Sequence, residues 1–197
     1  MTTKVEKLKM GRVVLTLVGD TPLISSKFPD RVIEYLILKD QNIKSKGHDK
    51  RDPEGEFHES LYVMPSADGE TKYGFPAMAF KNAAIRAAKQ FPGMTMVDTR
   101  CKFNVICKPH MLIPLRYSEL KMGQDVGRIG NNVPHLIYRG YFLDWEVDLG
   151  IIYATELISI ETLISLYDLA GFGVGVGAWR PEHNGVYGTF HVKKEGE

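Results

Sequence analysis

At 197 residues, with 44% hydrophobic and 25% charged side chains, the chain has the composition of a globular protein and not of a disordered or fibrous one. Lys plus Arg number 25 against 24 Asp plus Glu, a net charge of +1, which excludes an overall basic coat but not a local basic stripe. No apolar run approaches the roughly 20 residues of a membrane span, and the apolar stretch after Lys4, Lys7 and Lys9 is too short for a signal peptide, so one soluble, cytoplasmic domain over 1–197 is expected.

The β-branched run at 10–18, closed by Gly19-Asp20 and Pro22, predicts a strand buried on both faces. Pro29 and Asp30 then open a short helix over 29–38 with Val32, Ile33, Leu36 and Ile37 facing inward. From about 39 to 60 the sequence turns polar, with mixed charge and no periodicity, the signature of an exposed insertion. A small hairpin follows, 61–64 and 71–73 flanking the turn at Ala67–Glu70. Pro76 introduces an Ala-rich helix whose stripe is Phe80, Ala84, Ala87 and Ala88, stopped by Pro92-Gly93. Small residues on that stripe let the helix lie close to a sheet.

Alternation of Cys101, Phe103, Val105 and Cys107 predicts a strand over 100–107 with one wet face. Such a strand would hold the two thiols ~20 Å apart, too far for a disulfide, so both are expected reduced. Residues 114–134 carry three glycines with Arg116, Lys121 and Arg128. This reads as a long loop, and long loops are usually functional or mobile. Residues 135–153 are strand formers divided at Gly140 or at Leu143-Asp144. Ser159 caps a helix that carries Leu163, Ile164, Leu166 and Tyr167 inward and stops at Gly171. A glycine-rich segment and a strand over 188–193 end the pattern. With the insertions at 39–60 and 114–134 set aside, the order is β-α-β-β-α-β, an α+β chain of ferredoxin-like or RRM-like type.

The glycines of GFGVGVG follow a helix and lead to a strand, the reverse of a dinucleotide fingerprint. They still give backbone that a ligand can approach closely, beside the phosphate-matching fork of Arg180. A tight turn packed over Trp179 is the plainer account of the same residues. Arg139 to Leu143 partly echoes the RRM strand whose aromatics stack on bases, although aromatic strands are more often core. The six histidines show no metal-binding spacing and there is no C-x-x-C, so no metal and no cofactor is expected. The acids around Asp49, Asp52, Glu54 and Glu56 are offset by Lys46, Lys50 and Arg51. No nucleophile is visibly paired with a base.

Three segments, VVLTLVGDTPLI, YGFPAMAFKNAAIRAA and GVGAWRPEHNGVYGTFHV, resemble in family order the RAMP superfamily, the RNA-binding proteins of CRISPR effector complexes, and especially their backbone subunits. Pro76, Phe80, Lys81, Ile85 and Arg86 match the family's helix start, although Ala77, Met78 and Ala79 replace its small polar residues. Gly175, Gly177, Arg180, Gly188 and Phe190 match its signature glycine-rich loop. The resemblance implies an RRM-like protein that binds RNA or single-stranded DNA mainly through the backbone, with Lys81, Arg86, Gly175, Gly177, Trp179 and Arg180 at the strand. It also implies a thumb hairpin over 114–134, with Met122-Gly123 as its tip and Arg116, Lys121 and Arg128 along phosphates. Sequences with this W-R-P-E loop resemble stand-alone phage proteins. Backbone members repeat along a strand, so a homo-oligomer or filament is implied. Lys81 and Arg86 fall about 140° apart on a helical wheel, so they are not expected to share one phosphate, and an ion pair is the alternative for Arg86. Some members cleave bound RNA with an Asp after the first strand, and Asp30, Asp40, Asp49 and Asp52 all lie in that interval. The rival readings are therefore a nuclease using one of these or His183, and a self-assembling phage structural protein without nucleic acid.

Overall fold

The computed structural model describes residues 7–41, 43, 51–65, 69–107, 110–129 and 133–194. In chain order the elements are β1 (Met10–Gly19), β2 (Leu23–Ile24), α1 (Asp30–Asp40), α2 (Pro53–Glu59), β3 (Val63–Met64), β4 (Lys72–Pro76), α3 (Ala77–Ala87), α4 (Met96–Lys102), β5 (Phe103–Val105), β6 (Leu112–Pro114), β7 (Glu119–Ile129), β8 (Val133–Leu143), β9 (Glu146–Ala154), α5 (Ile160–Gly173) and β10 (Phe190–Val192).

The central sheet has the order β10-β1-β9-β5 and is antiparallel throughout. Renumbered within the β-α-β-β-α-β core of β1, α3, β5, β9, α5 and β10, that order is 4-1-3-2, the ferredoxin-like arrangement. The fold is α+β and RRM-like. Leu15, Leu17, Val147, Leu149 and Ile151 turn to the helical side, where α3 and α5 pack on each other and on the sheet. Phe80, fully buried on α3, meets the rings of Phe75, Trp145 and Phe190 at centroid distances of 5.9, 6.3 and 6.2 Å. Two small sheets flank this unit: β2-β8-β7, which extends into a long hairpin, and β3-β4-β6.

Several expectations are corrected. Strand β1 is not buried on both faces, since Met10 and Val14 lie exposed on the side away from the helices. Helix α1 forms, but Ile33, Leu36 and Ile37 are exposed, because α1 packs closely on none of the other described elements. The polar insertion holds a helix, α2, started by Pro53. Of the strand expected over 100–107, Phe103–Val105 forms β5, whereas Arg100, Cys101 and Lys102 are instead the end of helix α4: Thr95 accepts from the Asp98 amide at 3.2 Å, with acid in the first turn and Arg100 and Lys102 in the last. Cap and dipole override the alternation there. Cys101 is accordingly exposed, Cys107 is half-buried, and both are free.

The 114–134 segment is no loop. Eleven register pairs join β7 to β8, from Glu119 opposite Leu143 to Ile129 opposite Val133. Met122 therefore pairs with Gly140 in mid-strand and is not the tip. Helix α5, capped by Ser159 accepting from the Thr162 amide at 3.2 Å, runs through Gly171 to Gly173. Gly171 is glycine for contact, since a Cβ there would lie 1.7 Å from the Phe190 carbonyl oxygen.

Candidate nucleic-acid interface

The glycine-rich segment leaves α5 with the amides of Val174 and Gly175 both bonded to the Ala170 carbonyl, at 3.0 and 2.8 Å. It then lies against the turn between β1 and β2. The Ala178 amide donates to the Ile24 carbonyl at 3.0 Å, and that of Gly188 to the Pro22 carbonyl at 2.9 Å. Gly177 sits at φ +83°, and a Cβ there would come within 2.6 Å of the Ile24 oxygen. Close approach to the chain's own backbone thus accounts for this glycine without a ligand. Trp179 is held in the left-handed region at φ +54° and is an exposed residue, at 41%, so it is not buried beneath the turn.

Arg180 folds back over the segment. Its Nη1 donates to the Gly177 carbonyl at 3.1 Å, and Nη2 and Nε donate to Glu182 Oε2 at 3.0 and 3.3 Å. Arg86, on α3, donates to the other Glu182 oxygen. Burial pushes the Glu182 carboxyl up, but the bonds from Arg86 and Arg180 outweigh it and hold the group below the usual carboxylate range. Two guanidinium groups from two elements therefore share one carboxylate.

A cleft of about 120 Å³ separates α3 from the segment, lined by Asn82, Arg86, Gly175, Gly177, Arg180 and Glu182 among others. On the α3 side the lining residues Ala79, Asn82, Ala83 and Arg86 follow the i, i+3, i+4, i+7 spacing of one helix face. Two small side chains there let α3 and the segment close to cleft distance.

Of the residues singled out in the sequence, Arg86, Gly175, Gly177 and Arg180 meet at this cleft. Lys81 does not join them, since its Nζ donates to Asn104 Oδ1 at 2.7 Å on β5. The 140° separation on the helix is thus realised as two different partners. Arg116 is engaged by carboxylates on the open face of the central sheet. It forks onto Asp148 and reaches Glu146 Oε2 at 3.2 Å, while Lys193 takes the other Glu146 oxygen at 3.2 Å. These bonds raise the Arg116 pKa and lower those of Asp148 and Glu146. Lys121 pairs with Glu119 at 2.9 Å, and Met122 is exposed on the β7–β8 hairpin. Arg128 stands opposite Pro134 near the hairpin's far end, and its side chain lies outside the described residues.

The aromatic echo at 139–143 falls on β8, not on the central sheet, and Phe142 is fully buried. Among the acids proposed for cleavage, Asp30 pairs with Lys27 at 3.2 Å, Asp40 ends α1, Asp52 precedes α2, and Asp49 lies outside the described residues. His183 lies 3.9 Å from Glu182. Among the described residues, no three His, Cys, Asp or Glu side chains gather as a metal-binding group, and no helix is long and apolar enough to cross a membrane.

Sequence reasoning missed Asn82 and Glu182. The spacing of Asn82 from Arg86 was the available signal for the first. For Glu182, an acid two residues beyond the loop's Arg and just after Pro181 was a signal for local pairing.

No family model and no curated protein matches this sequence. In fold, the chain is similar to one chain of the cryo-EM structure of the type III-B Cmr-beta bound to cognate target RNA. The TM-score is 0.53 at 12% identity, over 94% of this chain and 60% of that one, so this chain spans three-fifths of that neighbour's length.

Proposed function

We propose that this protein binds single-stranded RNA or DNA, chiefly through its phosphate backbone, as a RAMP-like protein. The observation that carries the reading is the cleft between α3 and the glycine-rich segment. There Arg86 and Arg180 converge beside backbone of small residues, on a fold similar to that of a chain in a complex bound to target RNA. Guanidinium forks suit phosphate oxygens, and such contacts give affinity without reading sequence. Electrophoretic mobility shift with single- and double-stranded RNA and DNA, with and without divalent metal, tests it. Retarded single strands, released by salt, are expected. Substrate shortened only when metal is present would point to the nuclease reading instead.

Repetition along the strand is the second part of the proposal. Met122, Val126 and Leu136 are exposed on the same face of the β7–β8 hairpin, and α1 exposes Tyr35, Leu36 and Ile37. These unpartnered apolar side chains favour contacts between copies, and a head-to-tail contact of that kind grows open filaments. Sedimentation with single strands of increasing length should give assemblies that scale with length. A protein that stays monomeric on long RNA and long single-stranded DNA, at micromolar concentration and low salt, would defeat this part.

A further inference from the structure

Strand β8 has an edge that is only partly covered. Strand β2 pairs with it at Tyr141 and Phe142, and the Ser25 amide continues the ladder to the Gly140 carbonyl at 2.8 Å. Four residues away along β8, Arg51 donates to the Leu136 carbonyl. Backbone groups of alternate residues share one edge, so Tyr138 faces outward between these two caps. A cavity of about 480 Å³ occupies that gap, its walls including Lys27, Phe28, Arg51, His135, Tyr138 and Arg139.

Three features of this cavity point to a ligand. Phe28 lies on its wall with 58% of its surface exposed, an aromatic ring that contributes nothing to the core. The Arg139 side chain is largely buried and donates no hydrogen bond among the described residues. Its ion-pair partner is Asp125, whose Oδ2 stands 3.9 Å away while the Tyr141 hydroxyl donates to Oδ1 at 2.6 Å. Its side chain keeps 22% of its surface exposed, so guanidinium donors remain accessible to an acceptor on a ligand. Finally, Arg51 lies 5.9 Å from the centroid of the Tyr138 ring, anchored by Glu56 in a fork with one arm at 3.0 Å, so one wall is already fixed.

We infer that this cavity receives one unpaired nucleotide of a bound strand, its base against Phe28 and its phosphate on the fork of Arg139. The inference rests on the nucleic-acid reading above and adds a contact that the glycine-rich segment does not supply. The volume suits a ligand of nucleotide size, and stacking on an exposed ring is how single strands are gripped without regard to sequence. An extended peptide added to the β8 edge is the competing occupant. Strand addition needs a run of free backbone groups, and here Gly140 and Leu136, on either side of Tyr138, are already bonded.

The test is fluorescence anisotropy with a labelled 20-nucleotide single-stranded RNA, the same sequence as single-stranded DNA, and the RNA duplex, using the full chain. Phe28→Ala should weaken binding of both single strands by roughly fivefold or more, leave the salt slope unchanged, and leave duplex binding unchanged. Arg139→Gln should flatten the single-strand salt slope by about 0.7. Phe28 is exposed, so its variant should keep the wild-type melting temperature even if Arg139→Gln does not. If wild type and Phe28→Ala bind single strands equally, while Arg180→Ala binds them less well, the cavity inference is overturned and the glycine-segment reading stands. Equal losses on duplex and single strand also overturn it, because a paired base cannot enter. If wild type binds neither single strand at micromolar concentration and low salt, both readings fall together.

Discussion

Replacing Glu182 with Gln would remove one negative charge from between two arginines while keeping the side chain's shape. The side chain accepts from Arg86 on one oxygen and from Arg180 at 3.0 Å on the other. Counting these three groups, the local charge rises from about +1 to about +2. For a single strand each neutralised phosphate contributes about 0.7 to the log–log salt slope, so the variant should bind with a slope steeper by about 0.7. Lowering salt from about 200 to about 50 mM would then improve its binding by about 2.6-fold more than that of wild type. Stability should move the other way. Glu182 is 23% exposed, so losing its charge-assisted bonds should cost about 1–2 kcal/mol, discounted for partial exposure. For a chain of this length that lowers Tm by about 2–8 °C. Anisotropy titrations at two salt concentrations and a thermal melt measure both quantities on the same preparations. Tighter binding by a less stable protein is a combination that general damage does not produce. An unchanged salt slope, together with unchanged binding by Arg180→Ala, would refute the placement of the strand at this cleft.

Three further outcomes follow from the packing and charge. Because Glu146, Asp148 and Glu182 all titrate below the ordinary carboxylate range, their contribution is present above about pH 4 and is lost as pH falls through their depressed values; acid melts should show stability falling there, and Asp148→Asn should flatten that fall. Phe80→Ala, which empties the contact among Phe75, Trp145 and Phe190, should cost about 3–5 kcal/mol in denaturant unfolding; a loss under about 1 kcal/mol would mean that this site is not the centre of the core. Gly177→Val, at φ +83° and against the Ile24 carbonyl, should destabilise the fold measurably by thermal melt, whereas Gly173→Ala, with open space around it, should not.

The core was legible because its signals were periodic and local. Phe80, Ala84, Ala87 and Ala88 read as one buried stripe, and all four are buried. Ser159 read as a cap and is one. Where the reading failed, a longer-range partner or a competing local signal decided the outcome. Cys101, Phe103 and Val105 alternate as a strand does, yet Thr95 and Asp98 cap a helix that carries Cys101. The glycines of β7 suggested a loop, but Gly123 and Gly127 lie under the Tyr141 and Ile137 side chains of the neighbouring strand, a contact invisible without the register. At the cleft, the basic residues were legible by type. Their sharing of Glu182 was not, because Arg86 and Glu182 are 96 positions apart.

The docking of the glycine-rich segment on the β1–β2 turn has a consequence for the order in which the molecule is made. Thr21 and Thr189 share a hydrogen bond of 2.8 Å across 168 positions, the Asp20 amide reaches the Thr189 carbonyl at 2.9 Å, and β10 completes the sheet beside β1. Contacts so distant along the chain carry a high loop-closure cost and form late. During synthesis, β1, α3 and β9 emerge well before the residues that close the cleft. A nascent chain can therefore assemble the greater part of its hydrophobic interior while its arginine pair is still incomplete. Closure of the sheet and convergence of Arg86 and Arg180 on Glu182 therefore end in the same step.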